Sequence, residues 1–280
     1  MLTTDLLHAA VAGGGNDRVL TLDGALQGLP DTAHGGSVLA LFDLVAAPGG
    51  PRRLDGHYLK RVPLGVPLRL RTRRGPDGCH LELSERDAVL VRGRVAAAAP
   101  PDGTNAVVPL PADDAMALPI SRTCFACGVD NVLGLRARLR ADADAVGGTW
   151  TPRPGFADAG GRLAPVALTT LLDEAAFWLG ALATGEAGMT TELRVTLHAE
   201  AAAGSAITVA GARAAVRPRA DDPRYTETVL TARDADGRLV ASAAITFVAV
   251  RGAARRLVTG MLAVSEPELL RRVFPSYTPA

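Results

Sequence analysis

The chain has 280 residues, 48% of them hydrophobic and 21% charged, with a formal net charge of +1. That is enough apolar material for one large core or two smaller ones, and so even a charge balance carries no footprint of nucleic-acid binding. Three cysteines, Cys79, Cys124 and Cys127, are too few for a disulfide framework.

The N-terminus, Met1-Leu2-Thr3-Thr4-Asp5, has no basic segment ahead of an apolar one. It does not read as a signal peptide. No apolar run reads as long enough to span a bilayer, so a soluble cytoplasmic protein with no membrane partner is expected.

A first unit is read within residues 1–98. Its helix signal is Val38, Leu41, Phe42 and Val45, spaced to share one face, and Gly49-Gly50-Pro51 closes it. Leu68 and Leu70 then alternate with Arg69 and Arg71, and Leu81 and Leu83 with Glu82 and Ser84. Such alternation predicts strands with one wet face, separated here by the turn Gly75-Pro76-Asp77-Gly78. Residues 99–118 are rich in Ala, Pro and Asp and read as a linker.

The second unit is read over residues 119–251. Its helix, Val166 to Ala183, is apolar on nearly every side, which predicts burial all round. Ile207 and Val209 alternate with Thr208 and Ala210 and echo the Leu68/Leu70 strand. The tail, residues 252–280, holds one further helix, with Ser265 and Glu268 at capping-box spacing ahead of Leu269-Leu270.

The two units say the same thing twice, imperfectly. His34-Gly35-Gly36 opens the first helix and Asp43 follows nine positions after His34; Ala164-Pro165 opens the second and Asp173 follows nine after Ala164. Later strands share the endings Asp87-Ala88-Val89-Leu90-Val91 and Asp236-Gly237-Arg238-Leu239-Val240. Strand, apolar helix, then several antiparallel strands, twice over, predicts an α+β fold. Two such units can close each other's exposed sheet edge.

These segments resemble the hotdog-fold acyl-CoA thioesterase superfamily in its fused, double-hotdog form. Further similarity lies in Arg61-Val62-Pro63-Leu64-Gly65-Val66-Pro67-Leu68, in Leu172-Asp173-Glu174-Ala175, and in Cys124-Phe125-Ala126-Cys127-Gly128-Val129-Asp130-Asn131-Val132-Leu133-Gly134-Leu135. The resemblance implies two antiparallel sheets joined together, each wrapping a central helix. It implies acyl-coenzyme A or an acyl carrier protein as substrate and partner. The pantetheine arm comes with that substrate, so no cofactor is implied. Pairing of double hotdogs into a homodimer is a further expectation.

Glycines before a helix often do no more than permit a tight turn. The functional reading is that the Gly35 N–H meets a substrate oxygen at the helix start, where unpaired N–H groups favour negative charge. Asp43 and Asp173 lie too deep in their helices to act as caps. Each is either an acid satisfied by an arginine or a backbone group, or a general base whose pKa burial raises.

In the resembled family a site forms between units. Carried over, Gly35 faces Asp173, helped by Glu174 or Thr191, with His34 and Gly36 contacting substrate. The reciprocal site would pair Asp43 with Pro165, which has no N–H to donate and so reads as degenerate. Arg217, Arg219, Arg255 and Arg256 read as solvated surface rather than coenzyme A ligands.

Cys124-x-x-Cys127 lacks two further ligands at useful spacing, so no metal is expected and a structural role is favoured. Two other classes remain open. One is a non-catalytic acyl-thioester-binding or scaffold protein. The other is a hotdog dehydratase-like lyase using His34 and Asp173, although Val38, Asp43 and Phe177 depart from the dehydratase pattern.

Overall fold

A computed structural model describes residues 3–13, 15–47, 49–99 and 107–277. Pro100-Pro101 of the expected linker lie outside the described residues. After an N-terminal helix α1 (Thr3–Ala10), the first unit contains β1 (Asp17–Thr21), a short pair β2 (Gln27–Leu29) and β3 (Thr32–Ala33), and α2 (Gly35–Ala46). Four strands complete it: β4 (Arg52–Tyr58), β5 (Pro67–Gly75), β6 (Gly78–Glu85) and β7 (Ala88–Ala97). The second unit holds β8 (Met116–Ala117), β9 (Arg140–Ala141), β10 (Ala145–Trp150), α3 (Pro165–Thr184), β11 (Gly188–Leu197), β12 (Ile207–Ala212) and β13 (Arg217–Pro218). It ends with β14 (Tyr225–Arg233) and β15 (Leu239–Ala249), and the tail adds α4 (Ala253–Leu257), a π-turn over Val258–Leu262 and α5 (Pro267–Val273).

The two units share one antiparallel sheet of 13 strands, ordered β1-β5-β6-β7-β4-β11-β15-β14-β12-β10-β9-β8, with β13 on β14. Read outward from the centre, β4-β7-β6-β5-β1 mirrors β11-β15-β14-β12-β10. The seam is the β4–β11 pair, with Leu54 opposite Val195 and Gly56 opposite Leu193. Leu54, Val195 and Leu193 are fully buried, so the seam is a core element rather than an exposed edge. The shared endings found in the sequence fall on β7 and β15, the strands flanking the seam pair.

Alternation held in β5, but Ser84 of β6 and Ala210 of β12, expected on the wet face, are buried. Leu68, Leu70, Leu81, Leu83, Ile207 and Val209 are all buried, while Arg69, Arg71 and Arg73 face water. Val38, Leu41, Phe42 and Val45 are buried too, though α2 is covered on almost every side, not one stripe. Helix α3 does have the length and apolarity to cross a bilayer, contrary to the sequence expectation; 83% of its apolar window is instead packed inside the protein. It lies against the concave face of β11, β12, β14 and β15.

The expected capping box at the tail does not form. Ser265 Oγ instead donates to Ile120 O (3.1 Å) and accepts from Ile120 N (2.9 Å). Glu266 takes the cap position ahead of Pro267, whose missing N–H needs no partner there.

α2 and α3 meet near their N-termini. A Cβ on Gly36 would stand 2.5 Å from Thr169 O and 2.6 Å from Thr170 Cα, so only a bare backbone fits. The Thr169 hydroxyl fixes the contact by donating to Gly36 O at 2.8 Å. The Cys124 loop belongs to the second unit yet lies on the first. Phe125 N donates to Gln27 O (2.6 Å), and Asn131 Nδ2 to Ala25 O (2.7 Å). These contacts bring three distant stretches of chain to one place.

Candidate functional site

His34 ends an extended stretch and caps α2; its backbone carbonyl accepts from Ser37 N and Val38 N. Gly35 and Gly36 supply the first two helical positions. Gly36 N–H donates to Asp173 Oδ2 of α3 at 2.9 Å. Among the described residues nothing accepts from the Gly35 N–H, and Gly35 lines the adjoining cavity. A Cβ there would come within 2.7 Å of Asp173 Oδ2. Tyr58 of β4 holds the turn by donating its hydroxyl to Gly35 O at 2.6 Å. Burial first, then the Asp173 charge, pushes the Tyr58 phenol well above its ordinary pKa, so it remains a neutral donor.

Asp173 and His34 face each other, with Nδ1 to Oδ2 at 3.1 Å. The Thr190 hydroxyl donates to Asp173 Oδ1 at 2.6 Å. Desolvation alone would raise the pKa of this buried carboxyl, as the sequence led us to expect. The His34 hydrogen bond and charge, Thr190 and the Gly36 N–H outweigh it, and the net shift is downward. That corrects the reading of Asp173 as a base sharpened by burial. It is a held carboxylate.

His34 moves the other way. Burial would lower its pKa, but hydrogen bonds to Asp173 and Glu174 and the Asp173 charge carry it well above 6.5. Gly36 N stands 3.2 Å from His34 Nδ1 as well as 2.9 Å from Asp173 Oδ2; the raised pKa favours a protonated Nδ1 that donates to Asp173, with the Gly36 N–H going to the carboxylate. Its Nε2 stands 3.6 Å from Glu174 Oε2. Trp178 Nε1 donates to the other Glu174 oxygen at 3.0 Å and so sets the orientation of that carboxyl.

Cys124 joins the same cluster. One donor atom each from His34, Cys124 and Glu174 lies within 4.8 Å of the others, and all three residues are buried. Ala126 N donates to Cys124 Sγ at 3.3 Å. The Cys127 thiol, then the charge of His34, lowers the Cys124 pKa against desolvation, while Cys127 is raised by the same pairing and by burial. Sequence spacing could not show this, because the groups around the cysteines come from both central helices.

A cavity of about 300 Å³ opens against these groups. Its polar end carries His34, Gly35, Cys124, Asp173, Glu174 and Thr190; its apolar walls include Leu29, Phe177, Trp178, Met189, Val248 and Met261. Lys60 and Arg61 are exposed and also line it, which puts two cations at the mouth. Thr191 lines the cavity as well, but its hydroxyl donates to Thr246 O at 3.2 Å, and the hydroxyl that reaches Asp173 is that of its neighbour, Thr190. Arg219, Arg217, Arg255 and Arg256 do not line it; Arg219 pairs with Asp221 at 3.0 Å.

Asp43 occupies the ninth position of α2, as Asp173 does of α3. Its surroundings are different. Arg52 of β4 clamps it with Nε to Oδ1 at 2.5 Å and Nη2 to Oδ2 at 2.7 Å. That is the arginine-satisfied acid, and neither Asp43 nor Pro165 lines the cavity.

No family model matches the chain, and no curated protein matches it. Solved structures do. A candidate thioesterase II from Thermobifida fusca YX superposes with a TM-score of 0.59 at 17% identity, covering 90% of this chain and 100% of that one. A conserved protein with a hot dog fold from Alicyclobacillus acidocaldarius gives 0.60 at 15% identity, over 87% and 97%. A trans-AT polyketide synthase dehydratase domain from Brevibacillus brevis gives 0.58 at 11% identity, over 84% and 94%. At such identities the likeness is one of fold. With two units mirrored across one sheet and a buried helix in each, the chain folds as a double hotdog.

Proposed function

We propose that this protein hydrolyses acyl thioesters, on coenzyme A or an acyl carrier protein, at a single site between the start of α2 and the middle of α3. The observation that carries the reading is the Gly35 N–H. It is unpaired at a helix N-terminus, beside a buried His–Asp pair, at the polar end of an apolar cavity. A thioester carbonyl placed there would receive a fixed donor where its oxyanion develops. The imidazolium of His34, held in orientation by Asp173, is positioned to give a proton to the departing thiolate. The apolar walls suit an acyl chain, and Lys60 and Arg61 suit the phosphates of the pantetheine carrier.

The deciding measurement is release of free thiol from a panel of acyl-coenzyme A esters. Saturable turnover, lost in a folded Asp173→Asn variant, supports the reading; no thiol release from any ester leaves an acyl-thioester-binding protein instead. A second reading, a lyase, is supported by one observation: a histidine and an acid from opposite units, 3.1 Å apart in one pocket, are the groups an acid–base elimination would need. Offering a 3-hydroxyacyl thioester separates the two, since loss of water to an enoyl thioester, with the thioester kept intact, identifies the lyase.

A further inference from the structure

Hydrolysis needs a nucleophile, and the carboxylate expected to act as general base already holds three partners. Asp173 Oδ2 accepts from Gly36 N (2.9 Å) and faces His34 Nδ1 (3.1 Å), and Oδ1 accepts from Thr190 (2.6 Å). Each donor withdraws the electron density that an attacking or proton-accepting oxygen would use. Another group lies near the imidazole ring. Cys124 lines the cavity, is 4% exposed, and has its sulfur within 4.8 Å of a His34 ring nitrogen.

We propose that Cys124 is the nucleophile, forming a covalent acyl-cysteine intermediate in a Cys124–His34–Asp173 relay; this deepens the hydrolase reading and rests on it. Asp173 holds Nδ1, and Nε2, which stands 3.6 Å from Glu174 Oε2, is the nitrogen that remains to serve the thiol. The Ala126 N–H donates to Cys124 sulfur at 3.3 Å, and Cys127 lowers the Cys124 pKa against burial and the Glu174 charge, so the net shift favours the thiolate. Cys127 therefore acts as a positioning residue. Cys79, on β6, belongs to neither the cavity nor the cluster.

The steps balance. Cys124 thiolate forms a bond to the acyl carbonyl carbon while the carbonyl oxygen takes the charge at the Gly35 N–H. The bond from that carbon to the pantetheine sulfur breaks, and the departing thiolate takes the proton of His34. Neutral His34 then accepts a proton from water as the water oxygen attacks the acyl-cysteine. The Cys124–acyl bond breaks, and carboxylic acid, thiolate and imidazolium are left. One thioester and one water become one acid and one thiol, with no oxidant or metal required.

The test uses the full chain and the acyl-coenzyme A panel. Acid-quenched intact mass during turnover should show one added acyl group, mapped by digestion to Cys124. The wild type should also exchange isotopically labelled free coenzyme A into acyl-coenzyme A, which direct attack by water cannot do. Cys124→Ala and Cys124→Ser, once shown to melt cooperatively, should lose the adduct, the exchange and more than about 100-fold in turnover. Cys79→Ala should keep the adduct.

A folded Cys124→Ala within tenfold of the wild-type rate overturns the proposal and leaves the hydrolase reading standing. So does wild-type turnover with neither adduct nor exchange. One zinc per chain by elemental analysis, released by Cys124→Ser, would overturn it in favour of a metal held by Cys124, His34 and Glu174. Acylation of Cys124 without turnover would sustain the nucleophile and sink hydrolysis. Neither acylation nor turnover with any ester sinks both.

Discussion

His34 Nδ1 and Asp173 Oδ2 stand 3.1 Å apart, and the contact ties the first residue of one helix cap to the middle of the opposite helix. Both groups are buried, so neither charge is tolerable without the other. The pair is at once a structural clamp between units and the polar end of the cavity.

Removing the charge of Asp173 while keeping its shape should therefore separate those two roles. In Asp173→Asn, thiol release is expected to fall on the order of 10²–10⁴-fold, the range for loss of an acid–base partner. The amide still accepts from Gly36 N or Thr190, so the variant should fold. Steady-state rates beside thermal melts check this; an unchanged rate in a folded variant would remove Asp173 from the chemistry.

Stability should depend on pH in a window set by the same two groups. The folded pKa of His34 is raised above 6.5, so its contribution is complete below that pH and is lost as the pH climbs through the raised value. Asp173 is lowered below 3.8, so its contribution is complete above that pH and is lost as the pH falls through the lowered value. The gap in urea midpoint between wild type and His34→Gln should accordingly be flat from about pH 4 to 6.5 and shrink in alkali. A gap that widens above pH 6.5 would contradict the assignment.

The two glycines at the start of α2 should fail differently. Gly36→Ala places a Cβ 2.5 Å from a backbone oxygen of α3, so the helices must part, at about 1–3 kcal/mol. Gly35→Ala meets Asp173 Oδ2 at 2.7 Å and Tyr58 Cζ at an ordinary 3.6 Å, so it displaces one side chain rather than the backbone of α3. We expect the first to lower the urea midpoint strongly. The second should lower the rate more than the stability; equal losses of stability would show that the two positions are not distinct.

Arg52→Met should leave Asp43 buried without its guanidinium, at a cost of about 3 kcal/mol. Asp43 and Arg52 lie outside the cavity, so thiol release should stay within about twofold. Denaturant titration and rate measurement on one preparation check both halves. A rate collapse with intact stability would mean that the acid of α2 takes part in turnover.

Much of the fold was legible because its signals are periodic and local. Alternating Leu68/Leu70 and Leu81/Leu83 mark strands whichever partner they find, and the apolar run of α3 marks a buried helix. The mirrored sheet followed from finding both signals twice. The site was legible only in part. Position along a helix placed Asp173 and Asp43 alike, and only Pro165 marked the Asp43 side as degenerate; the partners themselves, His34 and Arg52, arrive by tertiary packing. Asp173 was expected to be a strong base on burial alone; its donors lie on a β-strand and on another helix. Cys124 was discounted for want of ligands nearby in sequence, and the fold supplies His34 from roughly a third of the chain away. Thr190 and Thr191 differ by one position in β11, beside a register shift between Thr190 and Glu192, and only the first hydroxyl reaches Asp173.

The β4–β11 seam joins two halves that differ in sequence, and this has a consequence for heredity. In an assembly of identical subunits, any change to one pocket is copied into the other, so neither can drift without both. A single gene carrying both halves breaks that bond. Here the acid of α2 is bound by an arginine, and the acid of α3 faces a histidine and a cavity. The tandem chain can lose chemistry on one side while selection on the other side holds it fixed.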